Sequence, residues 1–265
     1  MEEFETGGYN KSRKLFNQSL AAANDNSFAQ AQWIAKNRQL ELVFPDQPIN
    51  TSFKEALCYD KFFAGEFKSA LQYAIQWQDE SPYSLKCAMF GSGISTTFLK
   101  DYKTSERLLS TYLQTNQRSK AALNDLAYAY ALNNKTEEAQ KRINLAAKEI
   151  DRNNYERVDI CLMATQGLIF FRKGLAEDGT KFYEAAIESS RRSHEEDMLE
   201  SAILNFTREL LLHSNISENR EKVVNLLEEV PAKPKDSANA VMREEVEKLL
   251  KEGEGSKIEA IEKKL

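Results

Sequence analysis

Proline and glycine are scarce in this sequence, which has five prolines and ten glycines in 265 residues. These two residue types dominate turns and loops, so their scarcity excludes a chain made mainly of long irregular loops. Hydrophobic residues make up 42% of the chain and aromatic residues 10%, which is too apolar a composition for a disordered chain. The composition therefore favours a folded chain of closely connected helices.

Cysteine is also rare, and the three cysteines, Cys58, Cys87 and Cys161, lie far apart within apolar helical patterns. No CxxC pair occurs, so we interpret them as buried reduced thiols and expect no metal site. No run of eighteen apolar residues is present, and the acidic first residues do not resemble a signal peptide. We therefore expect no membrane partner and a cytoplasmic location.

Charge of one sign is not concentrated anywhere that would favour nucleic acid. The 36 basic and 41 acidic residues are interspersed and give a net charge of −5, so no direct nucleic-acid partner is expected. Catalytic patterns are missing as well: there are two histidines, no HExxH and no GxSxG, and the glycine-rich segment at 90–96 lacks the lysine of a phosphate loop. We expect no enzymatic activity and no cofactor.

Two helical patterns lie back to back between Lys120 and Asp151. In the first, apolar residues recur at steps of three and four, which is typical of one face of a helix. A short polar break at Asn133–Lys135 follows, and Thr136 is predicted to cap the second helix. So short a break predicts two antiparallel helices joined as a hairpin.

Pairs of small residues twelve positions apart recur on opposite arms of similar patterns. Their second members are separated by 35, 34 and 40 residues, and periods in this range predict a repeated helical unit. Hairpin turns are predicted near Gly65, Lys100, Asn134 and Gly174. The four pairs are Cys58 and Ala70, Gly93 and Ser105, Ala127 and Ala139, and Gly167 and Gly179.

A period of 34 with two helices per unit resembles the tetratricopeptide repeat (TPR), over roughly residues 51–192. The resemblance implies an all-α fold, a right-handed α-solenoid of TPR-like helical hairpins. Short stretches at 29–33 and 164–169 also resemble bacterial TPR segments that accompany PIN-like nuclease domains. The residues that carry the TPR resemblance are Gly65, Phe67, Ala70, Trp77 and Pro82; Tyr102, Ser105 and Tyr112; Leu126, Ala127, Tyr130, Ala139 and Ala146; and Gly167, Phe170, Gly174, Gly179, Tyr183 and Ala186.

The predicted organisation has four parts. Residues 1–50 form an N-terminal helical hairpin and connector, with Ser27 capping its second helix, and residues 51–193 form four TPR-like repeats. Residues 194–230 form a fifth hairpin. Residues 231–265 form a linker and charged amphipathic helices, the first of which is predicted to end at Gly253–Gly255. The charged C-terminal segment is expected to be a helical cap, with an interaction arm as the alternative.

The TPR resemblance implies that the first helix of each repeat lines a concave groove that binds the partner. Chaperone-binding TPR proteins carry a Lys/Asn clamp for a terminal carboxylate, and that clamp is absent here, because other residues hold its positions. The predicted groove residues are Glu55, Tyr59, Phe62, Phe90, Ile94, Asn124, Tyr128, Phe171 and Arg172.

These features predict a non-enzymatic protein–protein interaction adaptor that binds a peptide segment or a partner domain in an aromatic-lined groove. Two alternatives stay open. In the first alternative, the chain is a TPR regulatory or partner subunit of a nucleic-acid-processing, nuclease-like enzyme. In the second, it is a self-associating scaffold. The sequence leaves the partner and the oligomeric state undetermined.

Overall fold

The computed structural model describes residues 8–21, 25–44, 54–148, 157–213 and 216–262. Within these ranges 81% of the residues are helical and no strand occurs, which confirms the all-α fold class. The helices are α1 (Tyr9–Ala21), α2 (Asp25–Arg38), α3 (Lys54–Phe63), α4 (Phe67–Glu80), α5 (Leu85–Gly93), α6 (Tyr102–Leu113), α7 (Lys120–Leu132), α8 (Thr136–Ala147), α9 (Arg157–Arg172), α10 (Ala176–Ser193), α11 (Glu196–His213), α12 (Ile216–Glu228) and α13 (Ser237–Glu262), with a π-helical turn at Ile94–Phe98 between α5 and α6.

The chain divides into two compact units, Met1–Ile94 and Ser95–Leu265. In the first unit, helices that are consecutive in the chain pack against each other from α1 to α5. The pair α1 and α2 has its own small core around Phe16, Leu20 and Ile34. One detail of this pair differs from the sequence prediction: α2 begins at Asp25, before the predicted cap Ser27.

The second unit adds a second kind of packing. Consecutive helices contact each other from α6 to α12, and α7 also packs against α9, α9 against α11, and α11 against α13. The alternate helices α7, α9 and α11 therefore lie side by side. No helix in the described ranges is long and apolar enough to cross a membrane.

Each of the four predicted turns contains a residue with a left-handed backbone. The φ angles are 75° at Gly65, 54° at Lys100, 58° at Asn134 and 77° at Gly174. A left-handed residue after the last helical turn reverses the chain, which is the usual helix C-terminal arrangement. The predicted cap at Thr136 is wrong, because Thr136 is already the first helical residue of α8.

Another side-chain cap was not predicted. The Asp101 carboxylate accepts hydrogen bonds from the Thr104 amide at 3.1 Å and from its hydroxyl at 2.6 Å. This contact satisfies one of the free amides at the start of α6. It fixes the helix that follows the Lys100 turn.

The small-residue pairs mark close helix contacts at two of the four sites. A Cβ on Gly179 would lie 2.5 Å from the Phe171 ring and 3.0 Å from the Gly167 carbonyl oxygen. The Cys58 thiol donates to the Ala70 carbonyl at 3.2 Å. The expectation for Gly93 is wrong, because a Cβ added there meets no atom within 4 Å. Small size is therefore not required at Gly93.

The C-terminal helix differs most from the prediction. Helix α13 continues through Gly253 and Gly255 to Glu262, so the glycines do not end it. Glycine weakens a helix by about 1 kcal/mol relative to alanine, but it keeps its amide and breaks no geometry. The start of α13 is capped by Asp236, whose carboxylate accepts from the amides of Ala238 and Asn239 at 2.9 and 3.0 Å.

Candidate functional site

The structure divides the predicted groove residues between the two units. Glu55, Tyr59, Phe62 and Phe90 lie in the first unit, and Asn124, Tyr128, Phe171 and Arg172 lie in the second. Ile94 ends the first unit with 1% exposure. The candidate site is therefore two surfaces, which we describe separately.

The first surface is an aromatic patch made of Tyr59, Phe62, Phe63 and Phe90. Ring centroids are 4.4 Å apart for Tyr59 and Phe90, 5.1 Å for Phe62 and Phe90, and 6.3 Å for Tyr59 and Phe63. Helix α3 supplies three of these rings and α5 the fourth. The Phe63 side chain is 80% exposed, so the aromatic patch presents a large apolar ring to solvent.

A lysine borders the aromatic patch. The Lys86 ammonium lies 5.5 Å from the Tyr59 ring centroid and 5.9 Å from that of Trp77, within the range of a cation–π contact. Lys86 also pairs with Glu55, and the hydrogen bond to this carboxylate raises the pKa of Lys86. The patch thus has an apolar centre and a charged edge.

The second surface, which we call the polar groove, is lined by Asn124, Asp125 and Tyr128 of α7, Cys161 and Thr165 of α9, and Asn205 of α11. These residues surround a cavity of about 180 Å³, which α13 closes with Asn239 and Met242. The Tyr128 hydroxyl donates to the Asn205 side-chain oxygen at 2.9 Å. The cavity lining is more apolar than polar, and Asn124, Asp125 and Asn205 supply its hydrogen-bonding groups.

Asn124 is the most constrained side chain of the polar groove. It is 6% exposed, and its amide nitrogen donates to the Asp125 carboxyl oxygen at 3.2 Å. Its side-chain oxygen has no hydrogen-bond partner among the described residues. A buried acceptor without a donor costs free energy, so a hydrogen-bond donor brought to this oxygen by a bound molecule would be stabilising.

A buried ion cluster joins α9 and α11 and consists of Arg172, Arg208 and Glu209. Arg172 holds the Glu209 carboxylate through two contacts of 3.0 Å, and the Arg208 Nε donates to the same carboxylate at 3.0 Å. The side chains are 14%, 3% and 0% exposed, respectively. Arg172 is thus already committed to a partner inside the protein, and two cations share one carboxylate.

Two of the predicted groove residues belong to the core. Ile94 and Phe171 are each 1% exposed. The Phe171 ring packs 6.0 Å from Tyr183 and 6.1 Å from Phe206, measured between centroids. They support the helices that carry the surfaces and do not line an exposed groove.

The sequence analysis missed Arg208, Glu209 and Asn205. The signal was an adjacent pair of opposite charges within the apolar stretch of α11. Charged residues are almost never fully buried unless they are paired, so a charged pair in an apolar helix indicates a buried partner on another helix. Here that partner is Arg172.

Asp125 provides a pH-dependent test of the polar groove. Burial raises the pKa of Asp125 from 3.8 to about 6, although the Asn124 hydrogen bond opposes the shift. Because the folded pKa is higher than the unfolded one, its contribution to stability is present below about pH 4 and is lost as pH rises through about 6. Asp125→Asn should therefore raise the free energy of unfolding by about 1–3 kcal/mol at pH 7.5 and by little at pH 4.

Denaturant unfolding at several pH values measures this difference. Asp79→Asn, a matched change at an exposed carboxylate, should have little effect at either pH. A gain for Asp125→Asn that is the same at both pH values would show that Asp125 stays charged in the folded protein.

The cysteines do not have the environment of catalytic thiols. Burial raises the pKa of Cys58 to about 12 and that of Cys161 to about 11, and it also raises the pKa of Cys87. Reactive cysteines need a lowered pKa. Within the described residues, no group of three or more His, Cys, Asp and Glu side chains is placed to hold a metal ion.

No protein-family model matches the chain, and a search of curated proteins found no match. The functional argument therefore rests on the geometry of the aromatic patch and the polar groove.

Proposed function

We propose that this chain is a non-enzymatic interaction adaptor with TPR-like hairpins, which binds a peptide segment or a partner domain through the first helices of its hairpins. The packing of α7 on α9 and of α9 on α11 supports this proposal. In a right-handed α-solenoid of hairpins, each unit contacts its neighbours, and equivalent helices lie next to each other. The four left-handed turns at the predicted period support it further.

The observation that carries the proposal is the exposed aromatic patch. Large exposed apolar surfaces on soluble proteins mark interaction sites. The core of a typical interface is rich in aromatic residues and methionine, and its rim is polar. The aromatic patch has this composition, because Tyr59, Phe90 and Met89 line an apolar hollow that Lys86 borders.

The rigidity of the aromatic patch also favours binding. The Tyr59, Phe62 and Phe90 rings contact one another, so they lose little conformational freedom when a partner binds. A preformed surface reduces the entropy cost of association. Phe63 is the exposed anchor of the patch, and an apolar side chain of the partner is its expected contact.

The test has two steps. The partner is first isolated by a pull-down with the wild-type protein, and its affinity is then measured for the wild-type protein and for Phe63→Ala. Phe63→Ala should weaken binding by about thirtyfold, which corresponds to about 2 kcal/mol for an aromatic anchor. Because Phe63 is exposed, the melting temperature should change little. Tyr83→Ala is the matched control, since Tyr83 is 59% exposed and lies outside the patch.

Equal affinity of the wild-type protein and Phe63→Ala would contradict binding at the aromatic patch. The identity of the partner separates the alternatives. A partner with nuclease activity would favour the regulatory-subunit alternative, and recovery of this chain alone would favour the self-associating scaffold.

A further inference from the structure

Helix α13 lies on the polar groove as an amphipathic helix lies on its receptor. Its apolar face is buried, with Val246 at 0% and Met242 at 8% exposure, and it packs against α11. Its opposite face, which includes Glu244 and Lys248, is exposed. This is the arrangement of a helix in a groove, with anchors at positions i and i+4.

The polar contacts of α13 connect it to distant parts of the unit. Glu245 pairs with Lys100 at 2.7 Å, across 145 positions of sequence. Near the start of the helix, the side-chain amide of Asn239 donates to the backbone carbonyl of Asp197 at 3.3 Å. The Arg243 guanidinium donates to the Val230 carbonyl, after the end of α12, at 2.6 Å. Helix α13 therefore crosses the unit back to the turn before α6.

Charge explains why an acidic residue lies at position 245. The buried ion cluster has two guanidinium groups and one carboxylate, and Lys100 is a separate cation that pairs with Glu245. Glu245 is among the charges that raise the pKa of Arg208 against the opposing effect of burial. Glu245 therefore supplies the anion that pairs with Lys100 across the turn before α6.

The fit of α13 to the polar groove is incomplete. Helix α13 leaves a partly open cavity of about 180 Å³ beside Met242. In the same region, the Asn124 side-chain oxygen accepts no hydrogen bond from the described residues. A helix with a larger side chain that carries a donor at this position would make contacts that α13 does not make.

We propose that α13 is an internal ligand, and that the polar groove binds an amphipathic helix of a partner protein which displaces α13. The partner helix carries two apolar residues four positions apart, as Met242 and Val246 are, and an acidic residue directly before the second. This surface is distinct from the aromatic patch of the first unit, so this proposal goes beyond the proposed function and does not rest on it.

The linker that joins α13 to α12 determines how well an external helix can compete with α13 for the polar groove. Residues 231–236 link α13 to the end of the α12 segment, and a short linker gives an effective concentration on the order of millimolar. An external helix with only the contacts of α13 would therefore displace little of it at micromolar concentration. A physiological partner needs additional contacts, and the cavity beside Asn124 is where the structure provides for them.

Cys161 reports whether the groove is covered, because it lines the cavity together with Met242 and Met198. We would measure the rate at which N-ethylmaleimide labels each cysteine of the full chain, using mass spectrometry of the peptides. Glu245→Lys replaces the ion pair with Lys100 by repulsion between two cations and should loosen α13. Labelling of Cys161 should then become about tenfold faster or more, since exposure both opens access and lowers the pKa of the thiol.

The matched control is Glu244→Lys, which makes the same charge change at an exposed neighbour and should leave the labelling rate of Cys161 unchanged. Cys58 and Cys87 belong to the first unit and should be labelled at wild-type rates in both variants. If Glu245→Lys lowers the overall helicity, Glu245→Gln removes the ion pair without repulsion and should give a smaller increase at Cys161. Equal Cys161 rates in all these proteins would overturn the proposal.

A peptide tests the ligand chemistry directly. A fluorescent peptide of residues 237–252 should bind the Glu245→Lys protein at least about tenfold more tightly than the wild type, whose groove is occupied. The same peptide carrying E245K should bind more weakly, because its lysine meets Lys100 instead of pairing with it. Equal affinity of the peptide for both proteins, or binding that does not depend on its glutamate, would contradict a groove that recognises an acidic amphipathic helix.

Discussion

Glu209→Ala is expected to lower the free energy of unfolding by about 3–5 kcal/mol, the largest effect of any substitution considered for this protein. The carboxylate is fully buried and is shared by Arg172 and Arg208. Its removal leaves two guanidinium groups in an interior where the desolvation of an unpaired charge is costly. Thermal and denaturant unfolding of the variant measure the loss.

Two further variants distinguish the cost of leaving buried charges unpaired from the loss of an ion pair as such. Glu188→Ala removes a carboxylate that pairs with Arg192 at 3.3 Å, with both side chains more than half exposed, and it should cost less than about 1 kcal/mol. The triple replacement of Arg172 and Arg208 by methionine and Glu209 by leucine should recover most of the lost stability, because apolar residues of similar size can replace a buried ion cluster. If Glu209→Ala is no less stable than Glu188→Ala, the ion cluster is not a buried structural element.

Gly179→Ala is expected to lower the free energy of unfolding by about 2 kcal/mol, although alanine is the better helix former. The new Cβ would lie 2.5 Å from a Phe171 ring atom and 3.0 Å from the Gly167 carbonyl oxygen. The second atom is backbone and cannot move aside without shifting α9. Overpacking therefore outweighs the gain in helix propensity of about 1 kcal/mol.

Gly93→Ala is the matched control for the same chemical change. A Cβ at Gly93 meets no atom within 4 Å, so only helix propensity changes, and the variant should gain up to about 1 kcal/mol. Thermal melts of the two variants should therefore shift in opposite directions. A stabilised Gly179→Ala protein would show that α9 and α10 do not approach as closely as described.

The sequence predicted the features that depend on local pattern. The turns at Gly65, Lys100, Asn134 and Gly174 follow from the spacing of small residues and polar breaks, and the structure has left-handed residues at all four. The close contact of Gly167 and Gly179 follows from the same spacing. Such patterns are readable because helix periodicity and the geometry of short hairpins are local properties.

Features that depend on distant contacts were not predicted correctly. Arg172 has the position and the polar end of a groove residue, but its partner, Glu209, is 37 residues away on another hairpin. Helix α13 includes Glu245, which pairs with Lys100 across 145 residues of sequence. The repeat period relates the helices of neighbouring units, but it does not specify which of their side chains pair, so it predicts neither contact.

Tyr128 and Arg172 show how burial changes a functional interpretation. In the sequence, the polar ends of these side chains favoured their interpretation as ligand-binding residues. In the structure, Tyr128 bonds to Asn205 and Arg172 to Glu209. Both partners lie on α11, so these side chains connect α7 and α9 to the hairpin of α11 and α12. Substitutions at Arg172 are therefore expected to act mainly on stability, and the exposed anchor for a partner is Phe63.

Hydrogen exchange of the wild-type protein, followed by mass spectrometry at low denaturant concentrations, most directly tests the claim that a replaceable helix covers the polar groove. Local units of a protein open at lower free energy than the whole. The account predicts that the amides of α13 between residues 237 and 252 exchange through a local opening, at a free energy below that of α9 and α11. Exchange of α13 only at the free energy of α9 and α11, through their common unfolding, would contradict it and would make α13 a permanent part of the fold.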